Sequence, residues 1–402
     1  PDRSAGTCHQ NPCNPGIGSH NAKIMLQRGY KQLIHKYLSQ FPAVVILGPR
    51  QSGKTTLAQG LGGRYYDMES EGGQARLDAE WDEVVAVSEL IVIDEVQEYP
   101  EIYKRLRGTI DRDRKRNGRF LLLGSVSPSL VSGVSESLAG RVGFVEMSPF
   151  SLSEPTGQSM DDLWLYGGYP DGGILDSSHF PDWQNSYLTA LTTSDLPKWG
   201  LTASAQMSQR LLQMIAVHHG QPLNASQFGQ ALGIDHKTVQ RYIDFLEGAF
   251  LVRHLQPYYA NIRKRLVKRP RIFLRDSGLL HALMRVHDRE ILYSQPWLGQ
   301  SWEGFIIEQV ISALHMKNHK VTPYYFRSSD GYEIDLLLDW GTELWAVEIK
   351  LSSSPPKQEI DRLQKVADMV GASRRILLCR TSEPFGNKTL SVTHPQQWIA
   401  EL

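Results

Sequence analysis

Gly48, Pro49, Arg50, Gln51, Ser52, Gly53, Lys54, Thr55 and Thr56 follow the apolar run Ala43-Val44-Val45-Ile46-Leu47 and make a G-x-x-x-x-G-K-T loop. Glycines at those positions let backbone N–H groups turn inward around phosphate oxygens. Lys54 then reaches the terminal phosphates and Thr55 offers a hydroxyl to Mg²⁺. The helix that starts at Thr55 presents its N-terminus to the anion. A second apolar run, Leu90-Ile91-Val92-Ile93, ends in Asp94-Glu95. The two acids stand at the distance from the loop where a Walker B element belongs. The pattern implies a nucleoside triphosphate and Mg²⁺ as ligands, with Lys54 among the candidates for the chemistry.

A second group of reactive residue types lies near the C-terminus. Asp335 precedes a Trp340-Gly341 turn, and Glu348-Ile349-Lys350 closes the strand that follows it. A two-residue period puts Glu348 and Lys350 on one face, and charges on a buried face need partners. One reading is a metal-dependent nuclease site. Asp335, Glu348 and Glu303 of the preceding helix would then bind Mg²⁺, and Lys350 would stabilise charge at the phosphate. The other reading is a salt-bridged hairpin.

Between these groups, Ala225–Leu232, the turn Gly233-Ile234 and Asp235–Leu246 read as helix, glycine turn and Asp-capped helix, followed by a strand at Ala249–Gln256. The apolar spacing matches a helix-turn-helix with the first strand of a wing. His236, Lys237, Gln240 and Arg241 would face outward, where they suit phosphates and base edges. Such modules also dock proteins. Arg263, Lys264 and Arg265, in a basic stretch directly after, add a sequence-independent attraction for nucleic acid.

The elements that must position these residues alternate helix and strand from residue 25 to about 150, which argues a parallel sheet covered by helices. Leu121-Leu122-Leu123-Gly124-Ser125 reads as a buried strand, and Ser125 at its end is a candidate contact to the γ phosphate or the attacking water. Ser148–Asp162, rich in Ser, Pro and Gly, reads as a linker. The 402 residues suggest two to three domains.

Lys plus Arg equals Asp plus Glu at 43 each, yet the charge is segregated. Asp67–Glu98 carries eleven acids against one Arg, whereas Arg253–Arg275 carries eight Lys or Arg and no acid. A neutral chain can thus present a basic face. Cys8, Cys13 and Cys379 are too few for a disulfide framework and suit a reducing compartment. Cys8, His9, Cys13 and His20 lack paired C-x-x-C spacing for zinc. No apolar run reaches membrane-spanning length, so no membrane contact and a cytoplasmic location are expected. Residues 1–24 read as a disordered leader.

Together, Gly48–Thr56, Val92–Gln97, Leu123–Ser125, Ser137-Leu138-Ala139-Gly140-Arg141, Gly167–Pro170, Arg275–Leu279, Tyr332–Asp335 and Glu348–Lys350 resemble prokaryotic AAA-type ATPases with a C-terminal domain of unknown function. The resemblance runs from about Met25 to the C-terminus. It implies ATP binding by the loop, catalytic Mg²⁺ and water positioning by Asp94 and Glu95, and a γ-phosphate role for Arg141, in cis or from a neighbouring copy; the latter requires a homo-oligomer. It also implies a restriction-endonuclease-like C-terminal domain of the PD-(D/E)xK kind, which Asp335, Glu348 and Lys350 match. The expected fold is α/β: a P-loop NTPase core over 25–160, a helical lid and winged helix over 161–260, and the nuclease-like domain over 261–402. The expected activity is an ATPase coupled to DNA binding or processing; the alternative is an ATP-gated protein switch with an inactive nuclease-like scaffold.

Overall fold

The computed structural model describes residues 26–125, 136–259 and 266–402. The expected leader and the basic residues Arg263, Lys264 and Arg265 lie outside the described residues.

Five strands, β1 (Ala43–Gly48), β2 (Arg64–Asp67), β3 (Ile91–Asp94), β4 (Phe120–Ser125) and β5 (Val142–Glu146), pair in parallel in the order β2-β3-β4-β1-β5. β1 is apolar along its length because both of its faces are covered. Ala43 and Val45 pack in one layer with Leu77, Trp81 and Leu106, while Val44 and Ile46 pack in the other with Tyr30, Ile34 and Leu57. Parallel pairing brings the carboxyl ends of β1, β3 and β4 to one edge. The phosphate loop, Asp94 and the backbone of Ser125 therefore gather there. β5 escapes sequence reading because Gly143 interrupts its apolar run; a Cβ at Gly143 would strike the Tyr37 and Phe41 rings.

Residues 148–162 are no free linker. Phe150, Ser151 and Glu154 are buried. Glu154 takes an ion pair from Arg28 at 2.7 Å and caps the backbone N–H of Gly29 and of Ser151. Helices Met160–Tyr166, Asp182–Ala190 and Ala205–Val217 follow, with a five-residue π-helical turn, Leu191–Asp195, after the second.

The helix Ala225–Leu232 ends on Gly233 in the left-handed region, and the helix His236–Gly248 starts on Asp235, whose carboxylate accepts from the N–H groups of Lys237 and Thr238. Gly and Asp stand where C-caps and N-caps want them. Phe228, Leu232, Val239, Ile243 and Leu246 then close a core with Leu211 and Ile215.

A second, mixed sheet has nine strands in the order β13-β14-β12-β11-β10-β9-β7-β8-β6. It contains β6 (Gln221–Pro222), β7 (Val252–Pro257), β8 (Arg271–Leu274), β9 (Thr322–Arg327), β10 (Glu333–Asp339), β11 (Leu344–Ile349), β12 (Arg374–Leu378), β13 (Phe385–Gly386) and β14 (Leu390–Thr393). A domain boundary at 260 does not fit this sheet. β7 before the boundary pairs antiparallel with β8 after it, and β7 also joins β9 in parallel. β8, beyond that boundary, is buried at all four positions. The long helix Leu298–Met316 lies across this sheet, with Phe305, Ile306 and Val310 packed on Leu336, Leu338 and Val347.

Candidate functional site

At the carboxyl edge of the first sheet the loop turns under tight backbone constraint. A Cβ on Gly48 would lie 2.2 Å from the carbonyl oxygen of Met147, and Gly53 has a φ of +90°. Glycine meets both demands without strain. Arg28 braces the loop from below: its guanidinium donates to the carbonyls of Ser52 and Ser148 and pairs with Glu154.

Lys54 is buried, with Nζ donating to the carbonyl oxygens of Gly48 at 2.9 Å and Pro49 at 2.8 Å. Burial pushes its pKa down to about 8, against the opposing pull of Glu95 and Asp94. Thr55 Oγ1 donates to Asp94 Oδ2 at 2.7 Å, and the Tyr65 hydroxyl donates to the same oxygen at 2.7 Å. Burial and this bond to a carboxylate raise the Tyr65 pKa, so the phenol stays protonated. The Thr55 hydroxyl and the Asp94 carboxylate are hard oxygen donors side by side, a set that fits Mg²⁺. Glu95 adopts φ +47°, a conformation rare for a side chain of its size, and Gln97 Nε2 holds its carboxylate at 2.6 Å. The backbone of Ser125 pairs in register with Gly48, while its side chain lies outside the described detail.

Arg141 is placed elsewhere. It directly precedes β5, and Val142 pairs with Ala43, at the opposite end of β1 from Gly48. Six strand residues span about 16 Å. Its guanidinium instead makes two bonds to Asp111, at 2.8 and 2.9 Å. The in-cis γ-phosphate role expected for Arg141 is therefore corrected: the sheet separates it from the loop of its own chain.

At the second sheet, Glu303 of the long helix and Asp335 meet, with Glu333, around an arginine that sequence reading missed, and Glu348 and Lys350 pair with each other beside them. Arg271 of β8 meets Glu303 through Nη1 at 2.6 Å and Nη2 at 3.0 Å, with Glu333 at 3.4 Å and Asp335 at 4.0 Å from Nη1. Burial drives the Glu303 carboxyl upward in pKa, with Arg271 opposing and Asp335 reinforcing the rise. The Glu348 carboxyl also shifts up, from burial first and then Asp335, with Lys350 opposing. Lys350 Nζ donates to Glu348 Oε1 at 2.6 Å, so the expected shared face holds. Asp335 Oδ2 accepts from the backbone N–H of Ile349, tying β10 to β11. As arranged, the carboxylate oxygens of this cluster are spread around Arg271 and Lys350. Among the described residues, three atoms able to ligate a metal ion lie within 4.8 Å of one another at Asp244, Glu247 and His254, not here. Glu303, expected as a metal ligand, here lies in an ion pair with Arg271. No spacing rule pointed to Arg271, which is hidden in the basic stretch.

On the helix His236–Gly248, His236, Lys237 and Arg241 are exposed; Gln240 is half-buried and bonded to Asp244 at 2.7 Å. The helix offers a cationic rim to solvent.

A parallel sheet whose first strand runs into a G-x-x-x-x-G-K-T loop, with Thr55 bonded to the acid that closes β3, defines a P-loop NTPase. Comparison with known proteins agrees: residues 40–156 match an AAA domain, 157–290 a domain of unknown function (DUF8612), and 298–396 a domain of unknown function (DUF4143). Similar relatives include uncharacterized proteins of Mycobacterium tuberculosis and Mycobacterium bovis. Each is 36% identical over 86% of this chain and 80% of its own length. A protein of Haemophilus influenzae is 23% identical, covering 86% and 92%. The chain belongs to this bacterial family, in which an AAA domain is joined to a C-terminal DUF4143 domain. Among solved structures, the Walker-type ATPase PABY2304 of Pyrococcus abyssi is 14% identical with a TM-score of 0.47, over 67% of this chain and 99% of that one. AMPPCP-bound DnaA of Aquifex aeolicus is 13% identical with a TM-score of 0.26, over 54% and 85%. Among the described residues, no helix is long and apolar enough to cross a membrane.

Proposed function

We propose that the protein is a Mg²⁺-dependent ATPase whose nucleotide state controls engagement of DNA. The observation that carries the ATPase half is the 2.7 Å bond from Thr55 to Asp94 beside the buried Lys54. Lys54 exchanges two loop carbonyls for phosphate oxygens, a gain in charge-assisted bonding. Thr55 and Asp94 hold Mg²⁺, which when bound neutralises charge on the phosphates. Glu95, braced by Gln97, orients the attacking water and takes up its proton. Ser125 stands at the strand end beside Gly48, which supports a contact at the γ phosphate. A γ-phosphate role for Arg141 requires a neighbouring copy.

The DNA half rests on the winged-helix reading of residues 225–274. Exposed His236, Lys237 and Arg241 on the second helix, together with the basic run through Arg263, Lys264 and Arg265, support phosphate contacts whose strength falls with salt. One observation favours the second reading, an ATP-gated switch with a silent nuclease-like scaffold: Arg271 fills the Glu303, Glu333 and Asp335 cluster.

The test is ATP hydrolysis with and without duplex DNA, beside Lys54→Ala, with DNA integrity followed in the same tubes. Hydrolysis that depends on Lys54 and rises with DNA supports the proposal. Hydrolysis indifferent to DNA, with DNA uncut and unbound, leaves the switch. Hydrolysis unchanged in Lys54→Ala refutes both.

A further inference from the structure

Arg50 stands third in the phosphate loop, and its charge reaches the chemistry. Burial pulls its pKa down, but Asp195, Glu69 and Glu95 outweigh that and leave it raised; Arg50 in turn helps depress Lys54. Its Nη1 donates to Asp195 Oδ1 at 2.6 Å, and its Nη2 lies 3.6 Å from Glu69 Oε2. Asp195 is 145 residues away in sequence and closes the π-helical turn Leu191–Asp195. Turns of this kind are frequent at functional sites. The Asp195 side chain is 8% exposed, and burial raises its pKa against the pull of Arg50. Three residues on, Lys198 Nζ lies 3.1 Å from both Glu69 and Glu98, the latter in the turn after β3. One short segment from outside the ATPase sheet is thus fastened to the phosphate loop, to the stretch after β2 and to the turn that follows Asp94 and Glu95.

We infer that Asp195 is a positioning residue of the nucleotide site: it holds Arg50 away from the triphosphate, and ATP competes with it for that guanidinium, releasing residues 191–198 from the loop. The inference rests on the nucleotide reading above. A triphosphate brings several negative charges to a cation already shared by two carboxylates, and like charges around one cation repel. The guanidinium then turns to the phosphates, and Asp195 is left beside an anion it must move from. Nucleotide occupancy and the position of the middle segment become linked through a single residue of the loop, with reciprocal coupling.

The test uses the full chain with Mg²⁺ and the non-hydrolysable analogue AMP-PNP, titrated by calorimetry into wild type, Asp195→Asn, Asp195→Glu, Arg50→Met and the double variant Arg50→Met/Asp195→Asn. Asp195→Asn tightens binding about fivefold or more. Asp195→Glu returns it towards wild type, and Asp195→Asn changes nothing in the Arg50→Met background. In wild type the analogue speeds hydrogen exchange at amides 192–201. Unchanged or weaker binding by Asp195→Asn overturns the inference, as does an equal gain without Arg50. Should Asp195→Asn fail to fold, slowed or unchanged exchange at 192–201 in wild type overturns it. Wild-type binding lost in Lys54→Ala, with Asp195→Asn neutral, defeats this inference alone. Absence of binding in wild type defeats it together with the nucleotide reading.

Discussion

The nucleotide cradle and the C-terminal carboxylate cluster use the same materials, buried acids around a buried cation, and arrive at opposite states. In the cradle, Lys54 is held by two neutral carbonyls at 2.8 and 2.9 Å, partners that an anion can replace with profit. In the cluster, Arg271 is ion-paired to a carboxylate, with one hydrogen bond from Nη2, and two more acids lie nearby. A small ion must first displace a guanidinium that already lies among those acids. Backbone conformation differs in the same direction. Gln51 and Glu95, two of the five non-glycine residues with positive φ among the described residues, flank the cradle, and none lies at the cluster. Strain and weakly bonded charge mark a site built for a ligand from outside. A cation supplied by the chain itself marks a site that is already closed.

The comparison breaks or sharpens at several points. Lys54→Ala should lower ATP hydrolysis by about a thousandfold or more, measured at saturating Mg²⁺, because the phosphate charge loses its fixed partner. Lys350→Ala should leave the same rate untouched. Arg271→Met should destabilise the chain by about 3–5 kcal/mol in urea unfolding, since it strands buried carboxylates. Adding Glu303→Gln to it should restore part of the loss. A mild effect of Arg271→Met would mean that the cluster is loosely held and open to cations.

A pH effect should separate the two sites more subtly. Lys54 has its pKa depressed in the folded chain, to about 8 from 10.5, so the unfolded chain binds more protons between those values. Stability of the nucleotide-free protein should therefore rise from about pH 8 towards 10.5 and be lost again as pH falls through 8. Melting curves of Lys54→Met should lack that rise. The smallest effect belongs to Arg141→Ala. It breaks a pair with the exposed Asp111 and should barely move the melting temperature or the single-chain hydrolysis rate. A large loss of hydrolysis would reveal a finger donated between copies.

The sequence analysis reached the cradle because its parts are local. Eight consecutive residues make the loop, the buried strands on either side are continuous apolar runs, and Asp94 sits at a strand end where parallel pairing delivers it. Legibility fell wherever a contact spans the chain. Arg28 under the loop, Asp195 on Arg50 and Arg271 on Glu303 join residues 24 to 145 positions apart, with no period or motif to flag them. The face shared by Glu348 and Lys350 followed from strand alternation alone, but the arginine that meets the neighbouring Glu303 and Asp335 came from β8, beyond an expected domain boundary. Arg141 shows the same limit: a motif-like position does not say which end of the sheet it occupies.

The most direct test is to titrate Mn²⁺ into the full chain with and without AMP-PNP and follow bound metal by paramagnetic resonance, in wild type, Thr55→Ala and Asp335→Ala. The account predicts one site that forms with nucleotide, vanishes in Thr55→Ala and survives in Asp335→Ala. Tight Mn²⁺ binding without nucleotide that is lost in Asp335→Ala would contradict it.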